Sequence, residues 1–170
     1  MYMIKTTSAG AAKLLAKTQQ ELDYTLRYER DNCTFSAAIQ ENLEDVRPNY
    51  NYLETQSKIN RLNQKIRTIK HAINAFNVST PVPGLNMTVD EVLVLLPQLS
   101  REKERLQSMA LVPLKKRDSY RSNFIEYQYA NFDPVEAKKN FNNVVDFLSR
   151  AQLGLDQVNH NIEFEIDIDE

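Results

Sequence analysis

Six apolar residues, Ile59, Leu62, Ile66, Ile69, Ile73 and Phe76, step along this chain by 3, 4, 3, 4 and 3. A helix of about 3.6 residues per turn keeps such positions on one narrow stripe, which must be buried against another helix. A second set, Phe141, Val144, Leu148, Ala151, Leu155, Val158 and Ile162, steps by 3, 4, 3, 4, 3 and 4. Two such seams in 170 residues leave room for little besides an antiparallel bundle of long, coiled-coil-like helices, and they can pack against each other. The length suits a single helical domain over residues 1–170, since dividing it would leave each half with a marginal core.

The remaining elements follow from caps and breakers. Thr7 or Ser8 can cap a first helix whose apolar positions are Ala11, Leu14, Leu15, Leu22 and Leu26, running to about Arg30. Residues 31–47 have weak periodicity and read as a connection with a short hairpin or helical turn. Pro48 fits the first turn of the second helix, where its missing N–H costs nothing. That helix ends where Pro81, Pro83 and Gly84 forbid continuation. Thr88 and Glu91 form a capping box for a third helix, with Met87 and Val92 at the staple positions and Pro97 expected to kink it. Asp133, Pro134 and Glu136 supply the cap, the first-turn proline and the acid that start the fourth.

Two stretches alternate with period two. Ile125, Tyr127 and Tyr129 alternate with Glu126 and Gln128, and Ile162, Phe164, Ile166 and Ile168 alternate with Glu163, Glu165, Asp167 and Asp169. The fold class expected is mainly α, a long-helix bundle with a small β element whose strands lie near 122–130 and 162–169. A long helix separates these strands, so pairing with a second protomer is expected, the alternative being pairing with residues 31–47. A homo-oligomer, a dimer or higher, is the expected assembly.

Charge and composition narrow the chemistry. A formal net charge of -2 argues against binding long nucleic acid, which draws on a basic surface. The lone Cys33 permits no internal disulfide and points to a reducing compartment. The start lacks the charged and apolar regions of a secretion signal, and the longest apolar run, Val92-Leu-Val-Leu-Leu96, cannot span a bilayer. The expectation is a cytoplasmic protein without a membrane partner.

No catalytic motif stands out. His71 and His160 have no second ligand at metal spacing, Gly10, Gly84 and Gly154 form no phosphate-cradling loop, and the acids of the last strand suit a solvated face better than a cation. No enzyme, metal or cofactor is therefore expected. The density of anion-compatible donors is more informative. Lys115, Lys116, Arg117 and Arg121 are interleaved with Tyr120, Tyr127 and Tyr129, and Arg61, Lys65, Arg67 and Lys70 line the basic face of the second helix. Arginine forks and tyrosine hydroxyls suit phosphate, and the rings can stack on a base. The plainer reading is a basic loop, a strand with a tyrosine face and a solvated helix. The ligand-binding candidates are Arg67, Lys70, His71, Asn74, Arg117, Tyr120 and Arg121.

The run Ile59-Asn-Arg-Leu-Asn-Gln-Lys-Ile-Arg-Thr-Ile-Lys-His-Ala-Ile-Asn74, with Phe76-Asn77, Met87-Thr-Val-Asp-Glu91 and Leu99-Ser-Arg-Glu-Lys103, resembles the middle of septicolysin-like bacterial proteins. The resemblance implies a helix, a threonine-started helix, a strand and a long terminal helix. The family name points to a cytolysin, yet no amphipathic membrane-active segment accompanies it here. The composition, rich in Asn, Lys and Tyr, also resembles proteins of low-GC bacteria and their phages. Two functions are expected on these grounds. One is a non-enzymatic oligomeric protein that sequesters an anionic, nucleotide-like small ligand, as phage anti-defence sponge proteins do. The other is a structural or adaptor protein that pairs its seams with a helical partner.

Overall fold

The computed structural model describes residues 2–118 and 126–168. Their order is β1 (Tyr2–Thr7), α1 (Ser8–Asn32), α2 (Leu43–Val46), α3 (Tyr52–Ser79), α4 (Val89–Ala110), β2 (Lys115–Asp118), β3 (Glu126–Tyr129), α5 (Pro134–Asn161) and β4 (Glu163–Ile168). The fold is mainly helical, with five helices and two small two-stranded antiparallel sheets among the described residues. The chain divides into two compact units, Met1–Asn77 with Asn159–Glu170, and Val78–Val158.

In the first unit, α1 starts on Thr7, whose hydroxyl accepts the Gly10 N–H at 3.2 Å. The α1 stripe is Ala11, Leu15, Thr18, Leu22 and Thr25, of which Ala11, Thr18 and Thr25 are buried. It faces the α3 seam in antiparallel fashion. Ala11 shares a core with Ile69, while farther along α1 Glu21 meets Lys58 at 3.6 Å and Glu29 accepts the Tyr50 hydroxyl at 3.1 Å. The threonines sit on an apolar seam without unmet donors, because each hydroxyl bonds its own helix one turn back. Thr18 donates to Leu14 O at 2.9 Å, Thr25 to Glu21 O at 2.8 Å and Thr55 to Asn51 O at 2.8 Å.

The β1–β4 sheet closes this unit. Ile4 pairs with Ile166 and Thr6 with Phe164 on one face, while Lys5 pairs with Glu165 on the other and reaches Glu163 at 3.1 Å. Ile69 and Ile166 are fully buried, each contributing about 1.5–3 kcal/mol by removing apolar surface from water. Phe76 stacks on Phe164 with ring centroids 4.5 Å apart.

In the second unit, the α4 capping box is complete. The Thr88 hydroxyl accepts the Glu91 N–H, and the Glu91 carboxylate accepts the Thr88 N–H at 2.7 Å. Those bonds hold the Glu91 carboxyl below its usual range, the Thr88 backbone contributing most. α4 buries Val89, Val92, Leu99 and Leu106, and continues through Pro97. α5 buries Ala137, Leu148, Ala151, Leu155 and Val158. The two run antiparallel, since Val82 lies against Gly154 near the end of α5 whereas Leu106 and Ala137 line one small cavity at the other end. Gly154 is required by that approach, for a Cβ there would stand 2.6 Å from Val82 Cγ1 and 3.1 Å from Pro83 O. Val82 itself is fixed by its N–H bond to Met87 O at 2.9 Å, across a turn with Gly84 at φ 74°.

Several expectations need correction. Pro48 does not start α3, which begins at Tyr52 because the Asn51 side chain accepts the Glu54 N–H at 3.2 Å. Ile162 lies beyond α5 and is 38% exposed, so the heptad run ends at Val158. Leu26 is exposed and Thr25 takes its place on the seam. Neither strand pairs as expected. β4 finds β1, and β3 finds β2, in the basic segment read as a loop. Both therefore have partners within the chain, and neither needs a second protomer to supply one. The 122–125 part of the expected strand lies outside the described residues.

Candidate functional site

Arg67, Lys70, His71 and Asn74 share one face of α3, at spacings of three, four and seven residues from Arg67. All four are exposed, and Arg67, Lys70 and His71 make no ion pair among the described residues. They form an open stripe beside the buried seam. Arg117 stands in the other unit, on β2, while Tyr120 and Arg121 lie outside the described residues. The structure thus places four of the seven candidates on one helix face and Arg117 in the other unit.

The ribbon of β2 and β3 concentrates cations and aromatic rings more closely. Its register pairs Lys115 with Tyr129, Lys116 with Gln128 and Arg117 with Tyr127. Because strand side chains alternate, Lys115, Arg117, Tyr127 and Tyr129 share one face. The Lys115 ammonium lies 3.9 Å from the centre of the Tyr127 ring and 5.4 Å from that of Tyr129, and the two rings are 6.5 Å apart. All four side chains are exposed. Beside the ribbon is an open groove of about 510 Å³, whose lining includes Leu111, Val112, Lys116, Tyr129 and Phe132. Leu111, Leu114 and Val135 in the same unit are 78%, 68% and 73% exposed.

A cavity that sequence reasoning missed lies in the first unit, where the α1 and α3 seams turn polar. It is open to solvent, measures about 360 Å³ and is lined by Tyr24, Thr25, Tyr28, Asn49, Asn51, Glu54, Thr55 and Lys58. The Tyr28 hydroxyl donates to Asn49 O, and Glu29 accepts from both Tyr50 and Gln56. Burial, reinforced by the Glu29 bond, pushes the Tyr50 phenol above its ordinary range. The available signal was the run Asn49-Tyr-Asn-Tyr52 together with Tyr24 and Tyr28 one helical turn apart.

No family model matches the chain, and no curated protein matches it. One solved structure does. The crystal structure of a functionally unknown conserved protein from Corynebacterium diphtheriae matches with a TM-score of 0.57 at 17% sequence identity, covering 95% of this chain and 99% of that one. At that identity the likeness shows the fold alone.

Chemically, the ribbon can hold an anion against aromatic surface, and the tyrosine-lined cavity offers acceptors and ring faces. Among the described residues no group of three or more His, Cys, Asp or Glu side chains is placed to hold a metal ion. Nor, among the described residues, is any helix long and apolar enough to cross a membrane.

Proposed function

We propose that this chain is a non-enzymatic binding protein that takes an anionic, nucleotide-like small ligand on the Lys115, Arg117, Tyr127 and Tyr129 face of the β2–β3 ribbon. The observation that supports it is the Lys115 ammonium over two exposed tyrosine rings, with Arg117 next along the same face. An ammonium keeps donors free for phosphate while one side rests on a ring, and the guanidinium adds a planar fork. The rings supply stacking surface of the kind worth about 1–3 kcal/mol per base. Tyr120 and Arg121 follow in the same connection in sequence and remain candidates. The α3 stripe of Arg67, Lys70, His71 and Asn74 becomes a secondary candidate, because it is an open surface whose cations make no ring contact among the described residues. Sequestration by an oligomer, in the manner of phage anti-defence proteins, is the physiological form of this reading. The septicolysin-like resemblance adds a helical fold to it and no chemistry.

A thermal-shift series against mononucleotides, dinucleotides and cyclic nucleotides tests the reading. A ligand at a hundredfold excess over its Kd stabilises the chain by about 2.7 kcal/mol. That shift should vanish in the Arg117→Ala, Tyr127→Ala double variant. No stabilisation by any nucleotide, or a shift unchanged in the double variant, sinks the proposal.

A second reading, an adaptor for a protein partner, is favoured by the exposure of Leu111, Leu114 and Val135 in the unit that carries the ribbon. Such a partner would use these residues rather than the heptad seams, most of which are buried within the chain. Co-purification of a stoichiometric partner, lost in a Leu111→Ser, Leu114→Ser variant, supports it.

A further inference from the structure

The cavity at the polar end of the α1–α3 pair is distinct in chemistry from the ribbon. Most of its polar atoms are engaged. Thr25 and Thr55 donate to their own helices, Tyr28 donates to Asn49 O, and the Asn51 side chain caps the Glu54 N–H. Lys58 faces Glu21 at 3.6 Å, which offsets its charge. Two features of the lining are left over. The Glu54 carboxylate has no cation within ion-pair distance among the described residues, and the Tyr24 ring is 67% exposed one helical turn from Tyr28.

A carboxylate without a counter-ion beside tyrosine rings attracts a positive charge in two ways. The acid accepts charge-assisted hydrogen bonds from N–H groups, and the ring faces attract the cation through their quadrupoles. A cavity of about 360 Å³ holds a small organic molecule, not a folded partner. We propose that this cavity binds a small organic cation bearing a guanidinium or ammonium group, with Glu54 as the charge partner and Tyr24 and Tyr28 as the aromatic walls. Tyr28 is held for that role by its bond to Asn49, which ties α1 to the segment leading into α3. Glu54 also sits in the first turn of α3, where an acid is favourable for helix stability alone. The experiment must separate the two roles.

Isothermal titration of the full chain with agmatine and with spermidine, with a capped Gly-Arg-Gly peptide as a second arm and AMP as an anionic control, makes that separation. The cations are expected to bind, and Glu54→Gln to weaken them at least about tenfold, the order of a lost charge-assisted hydrogen bond. Tyr24→Ala should weaken them by about two- to fivefold, the scale of an exposed cation–ring contact. Both variants should keep the native circular dichroism spectrum, and AMP binding on the ribbon should be unchanged in either. Tighter binding of the peptide than of agmatine assigns the site to the side chain of a peptide, and the reverse assigns it to a small free cation. Absence of cation binding, or equal binding by Glu54→Gln with only its melting temperature lowered, overturns the proposal and leaves Glu54 as a helix-terminal acid.

Discussion

At the scale of single residues, the helices are shaped by small and hydroxyl side chains as much as by the leucines and isoleucines. Thr18, Thr25 and Thr55 reach buried positions because an i−4 carbonyl takes up each hydroxyl, so no buried donor is left unmet. Gly154 gives up helix propensity so that Val82 can rest on the α5 backbone. Gly154→Val adds a branched side chain where even one carbon would stand 2.6 Å from Val82 Cγ1, and such overpacking costs about 1–3 kcal/mol. Urea unfolding followed by circular dichroism should show that loss. A variant as stable as the native chain would mean that Val82 does not need the space.

At the scale of elements, the heptad period predicts which substitutions break a helix pair. Ile69→Asp and Leu148→Asp each place a carboxylate at a buried seam position, at a cost of several kcal/mol, about 3–5 if it stays charged. Ile162→Asp, one residue past α5 and half exposed, should be tolerated. Loss of helical ellipticity in the first two and retention in the third checks the assignment, and a collapse of Ile162→Asp would restore it to the seam.

The seams and the capping box were legible because their signal is local, a period of three and four or a pair of residues three apart. β1 was not. Tyr2, Ile4 and Thr6 do alternate with Met3, Lys5 and Thr7, but a single strongly apolar residue carries the pattern, and the register partner β4 lies at the far end of the sequence. β2 is four charged residues, Lys115, Lys116, Arg117 and Asp118, and becomes a strand only through pairing with β3. For the same reason, the spacing that singles out Arg117 as a candidate does not reveal Lys115 over Tyr127 and Tyr129, none of which is among the candidates. The unit-1 cavity was hidden more deeply, since its walls come from α1, α3 and the connection between them.

At the scale of the whole molecule, each described strand has one partner within the chain, so an oligomer is not needed to give any of them a partner and is a matter for the exposed surfaces. Those surfaces differ in chemistry. The ribbon carries Lys115, Lys116 and Arg117 with two tyrosines, while the cavity of the other unit is lined by Glu54 and by a Lys58 that faces Glu21. A net charge of -2 conceals that contrast, because basic and acidic groups cancel in the sum. The ribbon is the proposed anion site. Amide chemical-shift mapping of the ¹⁵N-labelled chain titrated with a nucleoside diphosphate tests this most directly. The predicted result is saturable shifts centred on Lys115 to Asp118 and Glu126 to Tyr129, weakening with added salt and lost in Arg117→Ala, Tyr127→Ala. Shifts centred instead on Arg67, Lys70 and His71, or no saturable shifts at all, would contradict it.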